Sequence, residues 1–194
     1  IPIMGAAQSL TFPQSPIIFY SHARHSFCAL DESGAFLNQK PGSPWKKQAL
    51  LYQKDIDYKT LRSDFIPVST TKGDFFVVGG CGMMYQWKGD SIVRIDESFR
   101  HKNQFGSIIW VKEDTIFMTG GYGFFESTNI TTYFDWDTKG WFHRKCGGDF
   151  PPTFSGGMAF RNGNELIFIG GRSESINGFK DIKQVRDRKS TRLN

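Results

Sequence analysis

Three times along the chain, an apolar-rich stretch is followed by two or three polar or glycine residues and then by an apolar run closing on Gly-Gly. The segments are 66–80 (IPVSTTKGDFFVVGG), 107–121 (SIIWVKEDTIFMTGG) and 157–171 (GMAFRNGNELIFIGG), and they align without gaps. The runs FFVV, IFMT and LIFI are too short for helices and rich in β-branched and aromatic residues, so they read as buried strands. The pieces TKG, KED and NGN between the apolar stretches are hairpin-turn chemistry. Each segment is therefore expected to fold as an antiparallel hairpin.

The three Gly-Gly pairs lie 41 and 50 residues apart, a spacing that suits a four-stranded unit. Gly147-Gly148 and Gly156-Gly157 lack a preceding strand, so the weight rests on recurrence of the whole segment. After Gly121 a loop leads to a strand through Tyr133 and Phe134, an Asp-rich turn, and a strand with Trp141. After Gly80 the next strand is expected at 92–95, with Phe99 at the Trp place. After Gly171 only a third strand is expected. Residues 1–64 are less regular. A hairpin around Glu32-Ser33-Gly34 reads there as the end of an earlier unit.

These residues resemble the kelch repeat of the galactose-oxidase-like superfamily. Its pattern is an apolar strand ending in Gly-Gly, an aromatic on the third strand, an Asp, and a Trp on the fourth. Gly120, Gly121, Tyr133, Asp135 (or Asp137) and Trp141 match it in one unit. Gly79, Gly80, Ile95 and Asp96 match in part in the unit before, and Gly170 and Gly171 in the unit after. The resemblance implies an all-β fold, a partial kelch-type β-propeller of about three blades of antiparallel strands. The blades are expected at 65–106 and 107–156, with an incomplete one at 157–186. A propeller needs about four to eight blades to close, so the ring is expected to be incomplete. Residues 187–194 (DRKSTRLN) resemble a translated sequencing adapter and are expected to pack against nothing.

Composition adds little. Aromatics at 15% fit half-buried strands, and no apolar run is long enough to span a membrane. The net charge of +5 includes three basic residues in the last eight positions, and no basic run interleaved with aromatics exists elsewhere. Nucleic acid is therefore not an expected partner. Cys28, Cys81 and Cys146 form no CxxC pair, which excludes a zinc ribbon.

The chemistry-bearing candidates are few. His22 and His25 form an HxxH pair without further ligands nearby, and a surface loop is the better reading. His101 and His143 are expected near solvent at the ends of fourth strands. The glycines of GGCGMM and GGYGFF lack the Lys and the following helix of a phosphate loop. No Tyr, Cys and His set maps onto the copper site of galactose oxidase, and no catalytic residue or cofactor is assigned. Asn129-Ile130-Thr131 has the pattern of a glycosylation acceptor, a triplet that arises often by chance.

The functional expectation rests on loops joining second and third strands, read as 81–90, 122–131 and 172–179. They carry Met83, Met84, Tyr85, Trp87, Tyr122, Phe124, Phe125 and Arg172. Aromatic and Met side chains on loops are common binding anchors, and they also cover blade edges. The expected function is non-catalytic recognition of a protein or glycan. Part of a carbohydrate-active enzyme and the sensor domain of a signalling protein are the alternatives.

Overall fold

The structure is a computed structural model that describes residues 16–40, 42–53, 56, 58, 65–98, 103–146, 153–162, 165–175, 178–181 and 185–187. Within these residues the chain is all-β, built of several sheets, none closed on itself. Sheet I contains β1 (Ile17–Ser21), β2 (Ser26–Asp31), β3 (Gly34–Asn38) and β4 (Lys46–Gln48), in that order. Sheet II runs β5 (Leu51–Tyr52), β9 (Ser91–Arg94), β8 (Met84–Lys88), β7 (Gly73–Val78), β6 (Phe65–Thr70). Its β5 is the one strand that pairs in parallel.

Sheet III runs β10 (Ile108–Lys112), β11 (Thr115–Thr119), β14 (Thr131–Asp135), β15 (Gly140–Arg144). A small hairpin, β12 (Tyr122–Gly123) with β13 (Glu126–Ser127), interrupts it between β11 and β14. Sheet IV joins β16 (Met158–Asn162), β17 (Glu165–Ile169) and β20 (Val185–Asp187). The hairpin β18 (Arg172–Ser175) with β19 (Gly178–Asp181) is inserted at the corresponding place.

The three expected hairpins form, as β6–β7, β10–β11 and β16–β17, each in its own sheet. The apolar runs of β7 and β11 are buried because sheets II and III are each covered on both faces. Alternate residues of β7 serve opposite neighbours, as the two-residue period of a strand requires. Phe76 and Val78 pack with Cys28 and Leu30 of sheet I. Phe75 and Val77 pack with Ile116 and Met118 of sheet III. Ile108 of sheet III packs with Leu166 and Phe168 of sheet IV. Each large apolar side chain buried this way contributes about 1.5–3 kcal/mol. The first strands are neighbours in chain order: β1 lies against β6, β6 against β10, and β10 against β16.

Four readings need correction. The ungapped alignment is off by one residue in the first unit. The turn closes at Thr70↔Gly73 in sheet II and at Lys112↔Thr115 in sheet III, so Gly73 corresponds to Thr115 rather than Asp114. One extra residue before Gly79 hides the shift, and a one-residue slip exchanges the two faces of a strand. The third strand of that unit is β8, not 92–95. There Trp87↔Ile92 repeats Phe134↔Trp141, so Ile92 takes the Trp place. Phe99 lies outside the described residues. Residues 17–48 form a complete four-stranded sheet where the sequence suggested only one hairpin. Finally, Asp187 belongs to β20, paired with Leu166, and not to a detached tail. Residues 188–194 lie outside the described residues.

Among the described residues no helix is long and apolar enough to cross a membrane.

Candidate functional surface

In an antiparallel four-stranded sheet, the loop from second to third strand and the segment leading into the next first strand emerge at the same end. Here that end is stitched by backbone pairs. The Phe105 N–H donates to the Tyr122 carbonyl at 2.9 Å, and the Tyr122 N–H donates back at 2.7 Å. Ser155 and Arg172 exchange the same pair of bonds, each 2.8 Å. The Gly156 N–H donates to Gly106 O at 2.6 Å, joining the two segments.

The Gly-Gly corners make this closeness possible. Gly120 and Gly121 have φ of +71° and +108°, conformations that L side chains rarely adopt. A Cβ on Gly121 would stand 2.7 Å from the Gln104 backbone. Gln104 itself is buried and satisfied. Its amide donates to the carbonyls of Gly120 and Ile130 and accepts from the Thr132 hydroxyl.

Between the two stitched pairs lies an open groove of about 600 Å³, lined by Phe105, Gly106, Tyr122, Ser155, Gly156 and Arg172 among others. Beside it stands the β12–β13 hairpin, whose tip is Phe124-Phe125. These two rings are 79% and 88% exposed, the most exposed large apolar side chains among the described residues. Both residues have positive φ, +51° and +68°. Left-handed backbone at a bulky residue costs on the order of 1–3 kcal/mol. The hairpin therefore presents two rings to solvent at an energetic cost. Three buried hydroxyls at its base, on Ser107, Ser127 and Thr128, have no protein hydrogen-bond partner among the described residues.

The eight loop residues separate into two groups. Tyr122, Phe124, Phe125 and Arg172 stand at this surface. Met83, Met84, Tyr85 and Trp87 do not: all four are buried. The loop after Gly80 is only a few residues long, and β8 begins at Met84. Their side chains fill the seams, Met83, Tyr85 and Trp87 toward sheet I and Met84 toward sheet III. The Arg24 guanidinium also stacks over Trp87 at 3.9 Å. Phe105, 45% exposed and on the groove wall, escaped the sequence reading. Its signal is an aromatic-to-glycine step just ahead of a first strand, in QFGSI; at the equivalent place of the next unit stands Ser155, behind the buried Phe154.

The remaining pattern positions are structural. Trp141 packs at 5.4 Å from the Phe134 ring, in edge contact. Tyr133 is half-buried, beside Phe117 and Phe142. Asp135 accepts from the Asp137 and Thr138 amides and closes the β14–β15 turn, which holds its carboxyl below the usual range. Asp96 is buried and paired with both Arg94 nitrogens, Nε and Nη2. His22, His25 and His143 are exposed, and His101 lies outside the described residues. Among the described residues, no group of three or more His, Cys, Asp or Glu could hold a metal ion. None of the three cysteines is disulfide-bonded. Asn129 is exposed, whereas Thr131 of the same triplet is buried against Thr119.

No family model matches the chain, and no curated protein matches it.

Proposed function

We propose that the chain is an arc of a kelch-type β-propeller that works as a non-catalytic recognition module, binding a protein partner through Phe124-Phe125 and the adjoining groove. The observation that carries the reading is the strained, doubly exposed Phe pair. Two apolar rings on a narrow hairpin fit an apolar pocket on a partner, and such aromatic anchors dominate interface energies. The successive first strands, each neighbouring the next, support the propeller arrangement. Four successive sheets are available to such an arc, where the sequence suggested about three units.

A glycan is the second reading, favoured by the groove itself. Phe105 and Tyr122 offer aromatic surface beside the exposed Arg172 and the backbone of Gly156. One comparison separates the two. A photo-crosslinking phenylalanine analogue is placed at Phe125 and, as a control, at exposed Lys88. Discrete protein adducts at position 125 alone, lost with Phe124→Ser, support the protein reading. Equal labelling at both positions, together with glycan-array binding that Phe124→Ser leaves intact, would favour the glycan instead.

A further inference from the structure

Residues 38–50 (NQKPGSPWKKQAL) hold three lysines and no acidic residue. Within them, Ser43-Pro44-Trp45-Lys46 places a proline directly after a serine hydroxyl and a cation three residues after it. The chain has one other Ser-Pro step, Ser15-Pro16, and there Ile18 stands three residues after the serine.

The segment joins β3 to β4, the last strand in the order of sheet I, which begins at Lys46. Gly42, Pro44, Lys46 and Lys47 are exposed, Ser43 is half-buried, and Pro44 and Trp45 lie outside any strand. A Cβ on Gly42 would meet nothing within 4 Å, so the turn stands clear there. What holds the serine is local. Its N–H donates to Lys40 O at 2.9 Å, and its hydroxyl lies 2.6 Å from the same carbonyl and 3.1 Å from Asn38 Oδ1. The Asn38 side-chain amide donates to Ser43 O at 2.7 Å. Freeing the hydroxyl therefore means opening one turn.

We propose that Ser43 is a phosphorylation site for a proline-directed protein kinase that reads a cation three residues downstream. Such an enzyme takes its substrate as an extended segment, seats the proline beside the acceptor and pairs the cation with carboxylates of its own. Lys46 supplies that cation. The Ser43 Oγ bonds to the γ-phosphorus of ATP, the bond from that phosphorus to ADP breaks, and the hydroxyl proton passes to the catalytic aspartate of the kinase. The product carries about two negative charges and has no Oγ proton left to donate. It faces Asn38 Oδ1 and the Lys40 carbonyl without a donor, while the ammonium groups of Lys40 and Lys46 offer new partners, so the turn is expected to open. The site lies in sheet I, apart from the Phe124-Phe125 hairpin, and the inference does not rest on the recognition reading.

The test incubates the full chain with Mg-ATP and a cyclin-dependent kinase and locates the modified residue by mass spectrometry of the digest. Ser43 is expected to carry the phosphate and Ser15 to stay bare. Lys46→Ala should slow the reaction about tenfold, the loss of one hydrogen bond to a charged group. Asn38→Ala should speed it, because the turn then opens more readily. Circular dichroism checks that both variants keep their strands, and Asn38→Ser replaces Asn38→Ala if it does not. An unmodified Ser43 would overturn the proposal. With a synthetic peptide of residues 38–50 phosphorylated in parallel, the fold shields the serine; with the peptide bare, the motif itself is not read. Equal modification of Ser15, or an unchanged rate for Lys46→Ala, would overturn it as well, since the downstream cation would then play no part.

Discussion

The indole Nε1–H of Trp141, in sheet III, donates to the carbonyl of Gly82, in sheet II, at 2.6 Å. The bond ties the last strand of one sheet to the second-to-third-strand turn of its neighbour. Trp141 is half-buried and shares a core with Phe75, Met84 and Phe134. Trp141 thus packs on Phe134 within its own sheet and also reaches across the seam.

Trp141→Phe should keep most of the packing and lose the bond, at a cost of about 1 kcal/mol. Trp141→Ala should lose both, with a cost approaching about 3 kcal/mol. Urea melts read the two values. Equal losses for both variants would mean that the bond, not the ring, supports the seam.

A second prediction concerns the seam between sheets I and II. The Asp74 carboxylate is fully buried and accepts from Arg24 and from the Ser21 and Ser69 hydroxyls. Removing one partner of a buried pair leaves an uncompensated charge, so Arg24→Met should cost about 3–5 kcal/mol. Arg24→Met with Asp74→Asn should recover part of that loss, measurable as a coupling energy in a double-mutant cycle. Additive losses would show that the two side chains act separately.

Thr71 and Asp114 join sheets II and III. The Thr71 hydroxyl and amide both donate to the Asp114 carboxylate, which lowers its pKa. Folding thus favours the charged form. The resulting stabilisation is present above the unfolded Asp value, about 3.9, and is lost as pH falls through the lower folded value. Asp114→Asn should destabilise the protein at neutral pH, and the difference from the parent chain should shrink below about pH 4. Thermal melts at several pH values read it, and a difference independent of pH would refute the assignment.

The Cys28 thiol lies in the core between sheets I and II, where burial and then the nearby Asp74 charge push it up to about 12. Its neutral form is favoured by folding. That contribution is full below the unfolded value, about 8.5, and is lost as pH rises toward the folded one. At pH 8 iodoacetamide should modify Cys81 and Cys146, which are half-buried, and spare Cys28 until the protein is denatured. Mass spectrometry of the digested protein gives the order, and early labelling of Cys28 would contradict its burial.

The sequence by itself determined the strands of 66–80, 107–121 and 157–171. Their signal is local: short β-branched and aromatic runs, two-residue turns, and a Gly-Gly corner that only glycine backbone fits. It also marked Phe124 and Phe125 as loop aromatics, in one group with Met83, Met84, Tyr85 and Trp87, which the fold buries. The tertiary structure alone decided which face each residue takes. Phe75 and Ile116 look equivalent when the glycines are aligned, yet one points forward and the other backward. One extra residue in β7 changes the face, and only the pairing of the turns reveals it. Trp87 has the composition of a binding loop, but the short connection after Gly80 draws it into a strand and under Arg24. Sheet I has no Gly-Gly corner, so its four strands become legible only where Cys28 and Leu30 meet Phe76 and Val78. Burial depends on what lies across the seam, and that partner is far away in sequence.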